Sequence, residues 1–415
     1  MNKTLIIGRG GREHALAHKF SKSPQVSQVY VAPGNPGMTD FATPVDIDEN
    51  DFPSLVAFAK KENITLTFVG PEVPLVGGIV DAFEKENLRI FGPRANAAII
   101  EGSKDFAKEL MKKYNIPTSN YETFTDVAAA VKYIEDKPAP YVLKADGLAA
   151  GKGVVIAGSL QEAKETLTDM LEDNKFGDAG AKVVIEDFLI GEEFSFMAFV
   201  HGEKVWPMEL SRDHKPVFDG NKGPNTGGMG AYSPTNITKT MEADAIKTIL
   251  EPTAKAMVAE GRSFTGILYA GLIATKDGAK VIEYNARFGD PETEVLLPRL
   301  ESDLYQVIND ILDDKDVIIK WSDNVALGVM LVSKGYPNDY PKGIEITGLD
   351  QMDKSVTVYH CGTDEKNGKT VTAGGRVLIV TACEADMETA RKKVYKEIEK
   401  IKFDGMHYRT DIGKM

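Results

Sequence analysis

The first hundred residues alternate short apolar runs with amphipathic stretches of helical length. The runs Leu5–Ile7, Gln28–Ala32, Thr65–Val69 and Arg89–Phe91 each lead into a turn that contains Gly or Pro. Strands that alternate with helices are typical of a parallel α/β sheet. Ligands of open parallel sheets bind at the carboxyl ends of the strands, so we expect function at these turns.

The pattern changes along the rest of the chain. Residues 116–190 form a compact unit of short strands and a helix, and residues 213–234 are rich in Gly, Asn and Pro. Loops of that length inside a domain are usually functional or disordered, so we predict an irregular functional segment there. A last α/β unit ends in a helix near Ala385–Ile401, where apolar residues recur every three or four positions. We therefore predict domains over residues 1–102, 103–323 and 324–415.

Composition narrows the class of protein. The chain has 415 residues, a net charge of −13 and two cysteines. An acidic chain without a Lys/Arg cluster is a poor partner for nucleic acid, although a local basic pocket could still bind small anions. Apolar runs stay below the roughly 18 residues that span a bilayer, and no signal-peptide pattern precedes the first strand. We expect a cytoplasmic protein without a membrane partner.

The most informative stretch is Val281–Glu294. Val281 to Asn285 predicts a strand, so Glu283 and Asn285, two residues apart, leave the same face. A carboxylate and an amide oxygen side by side suit Mg²⁺, which takes its other ligands from water and phosphate. Arg287 follows at the strand end and could hold a carboxylate or phosphate with two hydrogen bonds. The alternative is a structural Glu–Arg pair at a buried strand end.

The turn Gly8–Arg12 resembles a dinucleotide-binding fingerprint, but Glu13 replaces its third glycine and the acidic ribose-binding residue is missing. A glycine turn at a helix N-terminus can still bind an anion through its backbone N–H groups. We predict phosphate binding there, and a merely tight strand–helix turn is the alternative. His14, on the following helix, could be structural or catalytic.

The segment Asp146–Gly153 predicts a phosphate-binding flap. Gly147, Gly151 and Gly153 give it flexibility and free N–H groups, and Lys144 and Lys152 flank it as positive charges. It is not a Walker A loop, because no Gly-Lys-Ser/Thr ending is present and a strand follows. An exposed hairpin with surface lysines is the alternative.

The stretch from Ile185 to Glu193 predicts a crossing between two subdomains. Such a hinge can offer backbone N–H and C=O groups to an adenine edge and a carboxylate to ribose hydroxyls. A surface turn with acidic residues is the alternative. Together, the flap, the hinge and the Glu283–Asn285 strand could surround one metal-bound nucleotide.

The motifs resemble those of the ATP-grasp superfamily and, within it, the glycinamide ribonucleotide synthetase (phosphoribosylamine–glycine ligase) family. The resemblance covers essentially the whole chain in order. It is carried by GRGGREHAL at 8–16, GNPG at 34–37, VGPEVPLVGG at 69–78, KADGLAAGKGV at 144–154, SRDHKP at 211–216, GPNTGGMGAYSP at 223–234, EYNARFGDPETE at 283–294 and DGMHYRTDIG at 404–413. Ala286 stands where the family often has Cys, which does not put activity in doubt.

The resemblance implies an α/β fold with a mixed α+β ATP-grasp core. An N-terminal parallel α/β domain would precede an ATP-grasp lid (about 116–190) and central domain, and a small C-terminal domain would follow. It also implies that glycine's carboxylate attacks the γ-phosphate of ATP, and that 5-phosphoribosylamine then displaces phosphate from glycyl phosphate. Two alternatives are another ATP-grasp carboxylate–amine ligase and a non-catalytic nucleotide-binding protein. The broken fingerprint disfavours a nicotinamide-dependent oxidoreductase.

The resemblance assigns a role to each candidate residue. Glu283 and Asn285 would hold Mg²⁺ or Mn²⁺, and Arg287 would hold the carboxylate or acyl phosphate. Asp213 would bind the glycine ammonium. The ATP contacts would be Lys104, Lys144, Gly147, Gly151, Lys152, Gly153, Glu186, Leu189 and Glu193, and the phosphoribosyl contacts Gly10, Gly11, Asn35, Pro36 and Gly37. We expect a monomer whose partners are ATP, glycine and 5-phosphoribosylamine.

Overall fold

The N-terminal region is a parallel α/β layer, as predicted. The computed structural model describes residues 2–148, 153–172 and 181–414. Five parallel strands pair in the order β3-β2-β1-β4-β5. The elements are β1 (Asn2–Gly8), α1 (Gly11–Ser21), β2 (Val26–Pro33), β3 (Thr43–Pro44), α2 (Phe52–Glu62), β4 (Leu66–Val69), α3 (Glu72–Val76), α4 (Ile79–Lys85), β5 (Ile90–Phe91), α5 (Ala95–Gly102) and α6 (Lys104–Lys113). The strand order places the β1–α1 turn at the middle of the sheet edge.

Residues 121–187 form a separate small α/β layer. Its antiparallel strands pair in the order β6-β9-β7-β8. The elements are β6 (Tyr121–Phe124), α7 (Val127–Glu135), β7 (Tyr141–Ala145), β8 (Val154–Ala157), α8 (Leu160–Leu171) and β9 (Val183–Asp187). Ile134, Leu143 and Leu167 are fully buried in a cluster of its own. A layer with its own apolar core can move as one body, which suits a lid.

The central layer is an antiparallel sheet in the order β11-β10-β16-β17. The segment predicted to be irregular, 213–234, instead contains three short strands and the last residue of a fourth. The elements are β10 (Glu192–His201), β11 (Lys204–Pro207), β12 (Arg212–Asp213), β13 (Pro216–Phe218), β14 (Lys222–Asn225), β15 (Gly230–Ser233), α9 (Lys239–Ala245), a π-helical turn (Ile246–Leu250), α10 (Glu251–Ala259), β16 (Thr265–Thr275), β17 (Gly278–Asn285), α11 (Thr293–Leu296) and α12 (Leu304–Leu312). Local composition misses β12 and β15 because the partners that complete their sheet are distant in the chain.

Those partners belong to the C-terminal region. Its elements are β18 (Val325–Val332), β19 (Thr357–His360), β20 (Thr363–Lys366), β21 (Lys369–Thr372), β22 (Arg376–Glu384) and α13 (Met387–Ile398). The strands pair in the order β12-β15-β18-β22-β19, so one sheet joins the middle and C-terminal regions. β13 and β14 form a hairpin beside this sheet.

The predicted apolar stripe of the C-terminal helix is confirmed. Ala390, Val394 and Ile398 are fully buried and pack with Leu327 and Val380 of the sheet. Burial of each large aliphatic side chain contributes about 1.5 to 3 kcal/mol, so this face fixes the helix to the domain. Among the residues that the structure describes, no helix is long and apolar enough to cross a bilayer.

Candidate active site

A cavity of about 360 Å³ lies between the edge of the first sheet, the small layer of residues 121–187 and the central sheet. Most of the predicted ATP, metal and glycine residues line it. They are Lys104, Lys144, Gly147, Gly153, Glu186, Asp213, Glu283, Asn285 and Arg287. Because these side chains come from widely separated parts of the chain, the cavity is a product of the fold rather than of any one motif.

A bulge in β17 directs the side-chain oxygens of Glu283 and Asn285, the predicted metal ligands, into this cavity. Gly271 pairs with Glu283, but Leu272 pairs with Val281, so Ile282 is the extra residue. The bulge leaves Val281 and Tyr284 in the core and turns Glu283 and Asn285 outward. It also frees the Ile282 carbonyl, which accepts a hydrogen bond of 2.7 Å from Lys144 Nζ.

Positive charge surrounds the Glu283 carboxylate. Burial alone would raise its pKa, but Lys215, Lys144 and Lys104 outweigh burial and lower it. Lys215 Nζ lies 3.7 Å from Glu283 Oε1. Asp213 acts most strongly on Lys215 and raises the pKa of that ammonium well above its usual value. The Glu283 carboxylate and the Lys215 ammonium therefore both carry full charge near neutral pH.

Glu283 and Asn285 fit a hard divalent cation as a minimal pair of oxygen donors. The described residues contain no group of three or more His, Cys, Asp and Glu side chains that could hold a metal without other ligands. Mg²⁺ typically takes one or two carboxylates and completes its shell with phosphate and water. The donor set thus suits a metal that arrives with a nucleotide.

Arg287 is held by two carboxylates of the N-terminal region. Its Nη2 lies 2.8 Å from Glu101 Oε1, and its Nε donates to Glu72 Oε2 at 3.3 Å. Arg287 Nη2 also donates a hydrogen bond to Asn285 Oδ1 at 3.3 Å. Burial raises the pKa of Glu101 to about 7, and Arg287 opposes that rise. The guanidinium therefore has a fixed orientation at the cavity wall.

The predicted adenosine ligand Glu186 is engaged by two lysines. Its Oε1 lies 2.7 Å from Lys144 Nζ, and its Oε2 lies 2.9 Å from Lys108 Nζ. Burial lowers the pKa of Lys108 to about 8, against the opposing effect of Glu186. Leu189 is half-buried in the connection from β9 to β10, and Glu193 is exposed on β10. These last two do not line the cavity, so their contact with adenosine stays a prediction.

The start of α6 anchors the described part of the flap. Ser103 is the N-cap of α6 and accepts a hydrogen bond from Phe106 N at 3.1 Å. Ser103 Oγ also donates to Asp146, and Lys104 Nζ donates to the Gly147 carbonyl at 2.8 Å. Burial lowers the pKa of Lys104. Gly151 and Lys152 lie outside the described residues.

Several cavity residues were not predicted individually from the sequence. Glu292 is buried and accepts hydrogen bonds from Ser195 Oγ at 3.0 Å and Tyr269 OH at 2.9 Å. Burial, reinforced by Asp213, raises the pKa of Glu292 to about 7. Lys215 stands two residues after Asp213, a spacing that could have indicated it. Glu72 follows a strand end and could have been found by its position at the sheet edge.

A second cavity of about 310 Å³ lies against the β1–α1 turn. Arg9, Gly10 and Arg12 line one side, and Tyr336, Gly374 and Arg376 of the C-terminal region line the other. Gly8 has φ of +121°, which favours glycine, and Glu13 Oε2 accepts from Gly10 N at 2.7 Å. Glu13, which replaces the third glycine of the dinucleotide fingerprint, thus caps helix α1.

The Asn35–Gly37 turn lies behind this cavity. Asn35 Nδ2 donates to the carbonyls of Arg9 at 2.7 Å and His360 at 2.9 Å. A Cβ on Gly37 would come within 2.3 Å of the His360 ring, and one on Gly11 within 2.5 Å of Glu294 Oε1. Gly11, Asn35, Pro36 and Gly37 do not line either cavity. The structure gives these positions a bracing role, and direct substrate contact stays a prediction.

Comparisons with known proteins agree along the whole chain. Three family models match: phosphoribosylglycinamide synthetase N domain over residues 2–101, its ATP-grasp (A) domain over 102–293 and its C domain over 326–415. A phosphoribosylamine–glycine ligase of Halalkalibacterium halodurans is 57% identical over 410 residues, which is 99% of this chain and 96% of that protein.

Solved structures give the same family and a wider fold group. The crystal structure of phosphoribosylamine–glycine ligase from Thermotoga maritima has a TM-score of 0.87 and 34% identity, and covers 99% of both chains. The biotin carboxylase domain of Hydrogenobacter thermophilus 2-oxoglutarate carboxylase, solved with MgADP, has a TM-score of 0.74 at 14% identity. It covers 98% of this chain and 91% of that one, and shows likeness of fold alone.

Proposed function

This chain belongs to the phosphoribosylglycinamide synthetase family, and we propose that its two cavities divide the substrates of the phosphoribosylamine–glycine ligase reaction between them. It is an ATP-grasp ligase of purine biosynthesis. It joins glycine to 5-phosphoribosylamine and gives glycinamide ribonucleotide, ADP and phosphate. The observation that carries the division is the bulged strand, which turns Glu283 and Asn285 toward Lys104, Lys144 and Arg287 in one cavity.

The first cavity binds ATP in this proposal. Lys104 and Lys144 contact the phosphates, and the flap Gly147–Gly153, with Gly151 and Lys152, closes over them. Because an acyl phosphate hydrolyses in water, a closed flap protects the intermediate. Glu186, Leu189 and Glu193 hold the adenosine at the hinge. Lys108 balances Glu186 when Lys144 turns toward phosphate, which the Lys108–Glu186 distance of 2.9 Å supports.

Glu283 and Asn285 would hold the divalent metal, Mg²⁺ or Mn²⁺. When bound, the metal would neutralise phosphate charge and orient the γ-phosphate. The lowered pKa of Glu283 supports this role, because a metal ligand must be ionised.

Glycine occupies the part of the first cavity near Asp213 and Arg287. Asp213 pairs with the ammonium group, and Arg287 holds the carboxylate against the γ-phosphate. The carboxylate oxygen then attacks the γ-phosphorus, the bond from that phosphorus to the bridging oxygen of ATP breaks, and ADP leaves as glycyl phosphate forms. Positioning and charge neutralisation supply most of such catalysis, and the fixed Arg287 guanidinium is suited to both.

The second cavity receives 5-phosphoribosylamine. The phosphate group of 5-phosphoribosylamine would lie at the α1 N-terminus near Gly10 and Gly11. Backbone N–H groups and the helix dipole favour anions there. Arg9 and Arg12 add positive charge. Asn35, Pro36 and Gly37 support this turn, since Asn35 holds the Arg9 carbonyl.

We also propose the domain boundaries 1–102, 103–323 with its lid at 116–190, and 324–415. The enzyme acts as a cytoplasmic monomer on small molecules, without nucleic-acid or membrane partners. One chain builds both cavities, which supports a monomer. The net charge of −13 supports the lack of a nucleic-acid partner.

ADP release tests this division of substrates. The assay contains Mg-ATP and glycine, with or without freshly generated 5-phosphoribosylamine. We expect steady release only when both glycine and the amine are present. Turnover that required a different acid or amine would contradict the substrate assignment and leave the ATP-grasp fold in place.

A further inference from the structure

The two cavities share one wall. Arg12, Asp290 and Arg376 line both of them. In the proposed function, glycyl phosphate forms in the first cavity and the attacking amine enters through the second. The new C–N bond must therefore form at this wall. In the described part of the chain, Asp290 is the carboxylate that faces both cavities.

Asp290 is held in place by the C-terminal region. Its Oδ1 lies 3.0 Å from Arg376 Nη2, and its backbone carbonyl accepts from Arg376 Nη1 at 2.9 Å. Arg376 Nη1 also donates to the Gly227 carbonyl at 2.8 Å. The other oxygen, Oδ2, lies toward Gly10, since a Cβ on that glycine would be 3.8 Å from it. One oxygen thus anchors the side chain, and the other points into the second cavity, which receives 5-phosphoribosylamine in the proposed function.

Three other carboxylates nearby are less suited to receive a proton at the wall. Glu292 lines only the first cavity and is bound by Ser195 and Tyr269. Glu13 lines only the second and is bound by Gly10 N and Arg12. Glu294 is fully buried and lines neither cavity.

We propose that Asp290 is a catalytic residue that accepts the proton lost by the attacking amine. The nitrogen of 5-phosphoribosylamine forms a bond to the glycyl carbonyl carbon, and the C–O bond to phosphate breaks with its electron pair leaving on phosphate. One N–H proton passes to the Asp290 carboxylate and from there to solvent. The product is the amide, and no redox change occurs. This inference rests on the proposed function of the two cavities.

Charged and titratable groups from four neighbouring parts of the chain act on Asp290. They are Arg12 on α1, Glu294 on α11, Arg376 on β22 and Cys361 after β19. Arg376 Nη2, 3.0 Å from Asp290 Oδ1, balances the negative charge of this carboxylate. Proton transfer by a positioned side chain contributes about 10²- to 10⁴-fold to a rate.

The variant Asp290→Asn separates the two chemical steps. Asn keeps an oxygen that can accept from Arg376, but it cannot take up a proton. Hydroxylamine replaces the amine in a parallel assay with Mg-ATP and glycine. It attacks acyl phosphates without a catalyst, so glycine hydroxamate reports formation of glycyl phosphate alone. Asp277→Asn, in the exposed β16–β17 turn, is the matched control.

We expect Asp290→Asn to lower kcat with 5-phosphoribosylamine by roughly 100-fold or more and to leave hydroxamate formation within about threefold of wild type. Asp290→Glu, which keeps a carboxylate, should recover part of the rate.

Two results would overturn the proposal. Unchanged amide formation by Asp290→Asn would show that no proton passes through this residue. An equal loss of hydroxamate and amide formation would assign Asp290 to the first step or to the scaffold. A wild-type enzyme that forms neither product would instead refute the proposed function of the cavities.

Discussion

Arg287 Nη2 lies 2.8 Å from Glu101 Oε1 and thereby joins the end of β17 to helix α5 of the N-terminal layer. Glu101 Oε2 accepts from the backbone N of Ala286 at 2.7 Å. One carboxylate thus fixes both the backbone and the side chain beside the proposed metal ligands. The guanidinium is oriented before substrate arrives, which lowers the cost of ordering it during catalysis.

We predict that Arg287→Lys lowers kcat/KM for glycine by roughly 100-fold. An ammonium keeps the charge that balances Glu101 and Glu72, but it cannot hold two carboxylates and a substrate in a fixed fork. The thermal midpoint should change little. Steady-state kinetics and a thermal melt measure both quantities. Arg94→Lys, in an exposed pair with Glu84, is the control and should match wild type. Unchanged glycine kinetics would remove Arg287 from the substrate site.

Removal of the Glu283 carboxylate should separate the metal site from the scaffold. We expect Glu283→Ala to abolish metal-dependent ADP release and to leave the fold intact, because this side chain is only half-buried on a bulged strand. Titration of ADP release with Mg²⁺ and Mn²⁺ and a denaturant melt are the measurements. Unfolding of the variant at ambient temperature would instead indicate a structural role. Glu388→Ala, at an exposed position of helix α13, is a suitable control.

The local parts of the fold were predictable because short-range rules determine them. The parallel strands before residue 92, the Ser103 N-cap and the apolar stripe of α13 follow from alternation, capping chemistry and helical spacing. The shared face of Glu283 and Asn285 was also predicted. The bulge at Ile282 was not, because it arises from pairing with β16 rather than from its own sequence.

The remaining features depend on contacts between distant segments. β12 and β15 pair into a sheet whose other strands begin at Val325, and composition alone made this segment look irregular. The second cavity needs Arg376 and Tyr336, which lie more than 300 residues from Gly10 in the chain. The bracing role of Asn35 depends on a carbonyl of His360. Local patterns carry no information about such distant partners.

Buried histidines should make the free energy of unfolding depend on pH. Burial lowers the pKa of His360 to about 4, and it lowers that of His14 well below 6.5. Between these values and the unfolded pKa near 6.5, the unfolded chain binds protons that the folded chain does not. Each histidine therefore stabilises the fold above about pH 6.5, and this contribution falls by at most about 1.4 kcal/mol per pH unit as pH decreases.

The variant His360→Gln tests this linkage. Glu49, Glu101 and Glu292 have pKa values raised to about 7, and they act in the opposite direction over the same range. The informative quantity is therefore the difference between variant and wild type. Urea unfolding at pH 7 and pH 5 should show a smaller loss of stability on acidification for His360→Gln. An identical loss in both proteins would contradict a neutral, buried His360.

Arg409, near the C-terminal end of the sequence, should stabilise the β13–β14 hairpin. Its side chain is 1% exposed, and its Nε and Nη2 donate to Asp411 at 2.7 Å each. Nη1 donates to the Pro216 carbonyl at 3.0 Å, and Asp411 accepts from Gly220 N at 2.8 Å. The hairpin β13–β14 thus depends on one buried guanidinium and its carboxylate. Because Lys215 directly precedes the hairpin, a shift of Pro216 would reach the glycine end of the cavity.

We predict that Arg409→Ala lowers the free energy of unfolding by about 2 to 3 kcal/mol, below the usual cost of breaking a fully buried pair because Asp411 keeps partial contact with water. The KM for glycine should rise severalfold, and the KM for ATP should stay near wild type, since the hairpin adjoins only the glycine end. Arg409→Lys retains the charge but loses the forked pair of donors. Its free energy of unfolding and its KM for glycine should lie between those of Arg409→Ala and wild type. Lys402→Ala, an exposed change in the same region, is the control. Equal increases in both KM values would show a general loss of structure rather than a displaced hairpin.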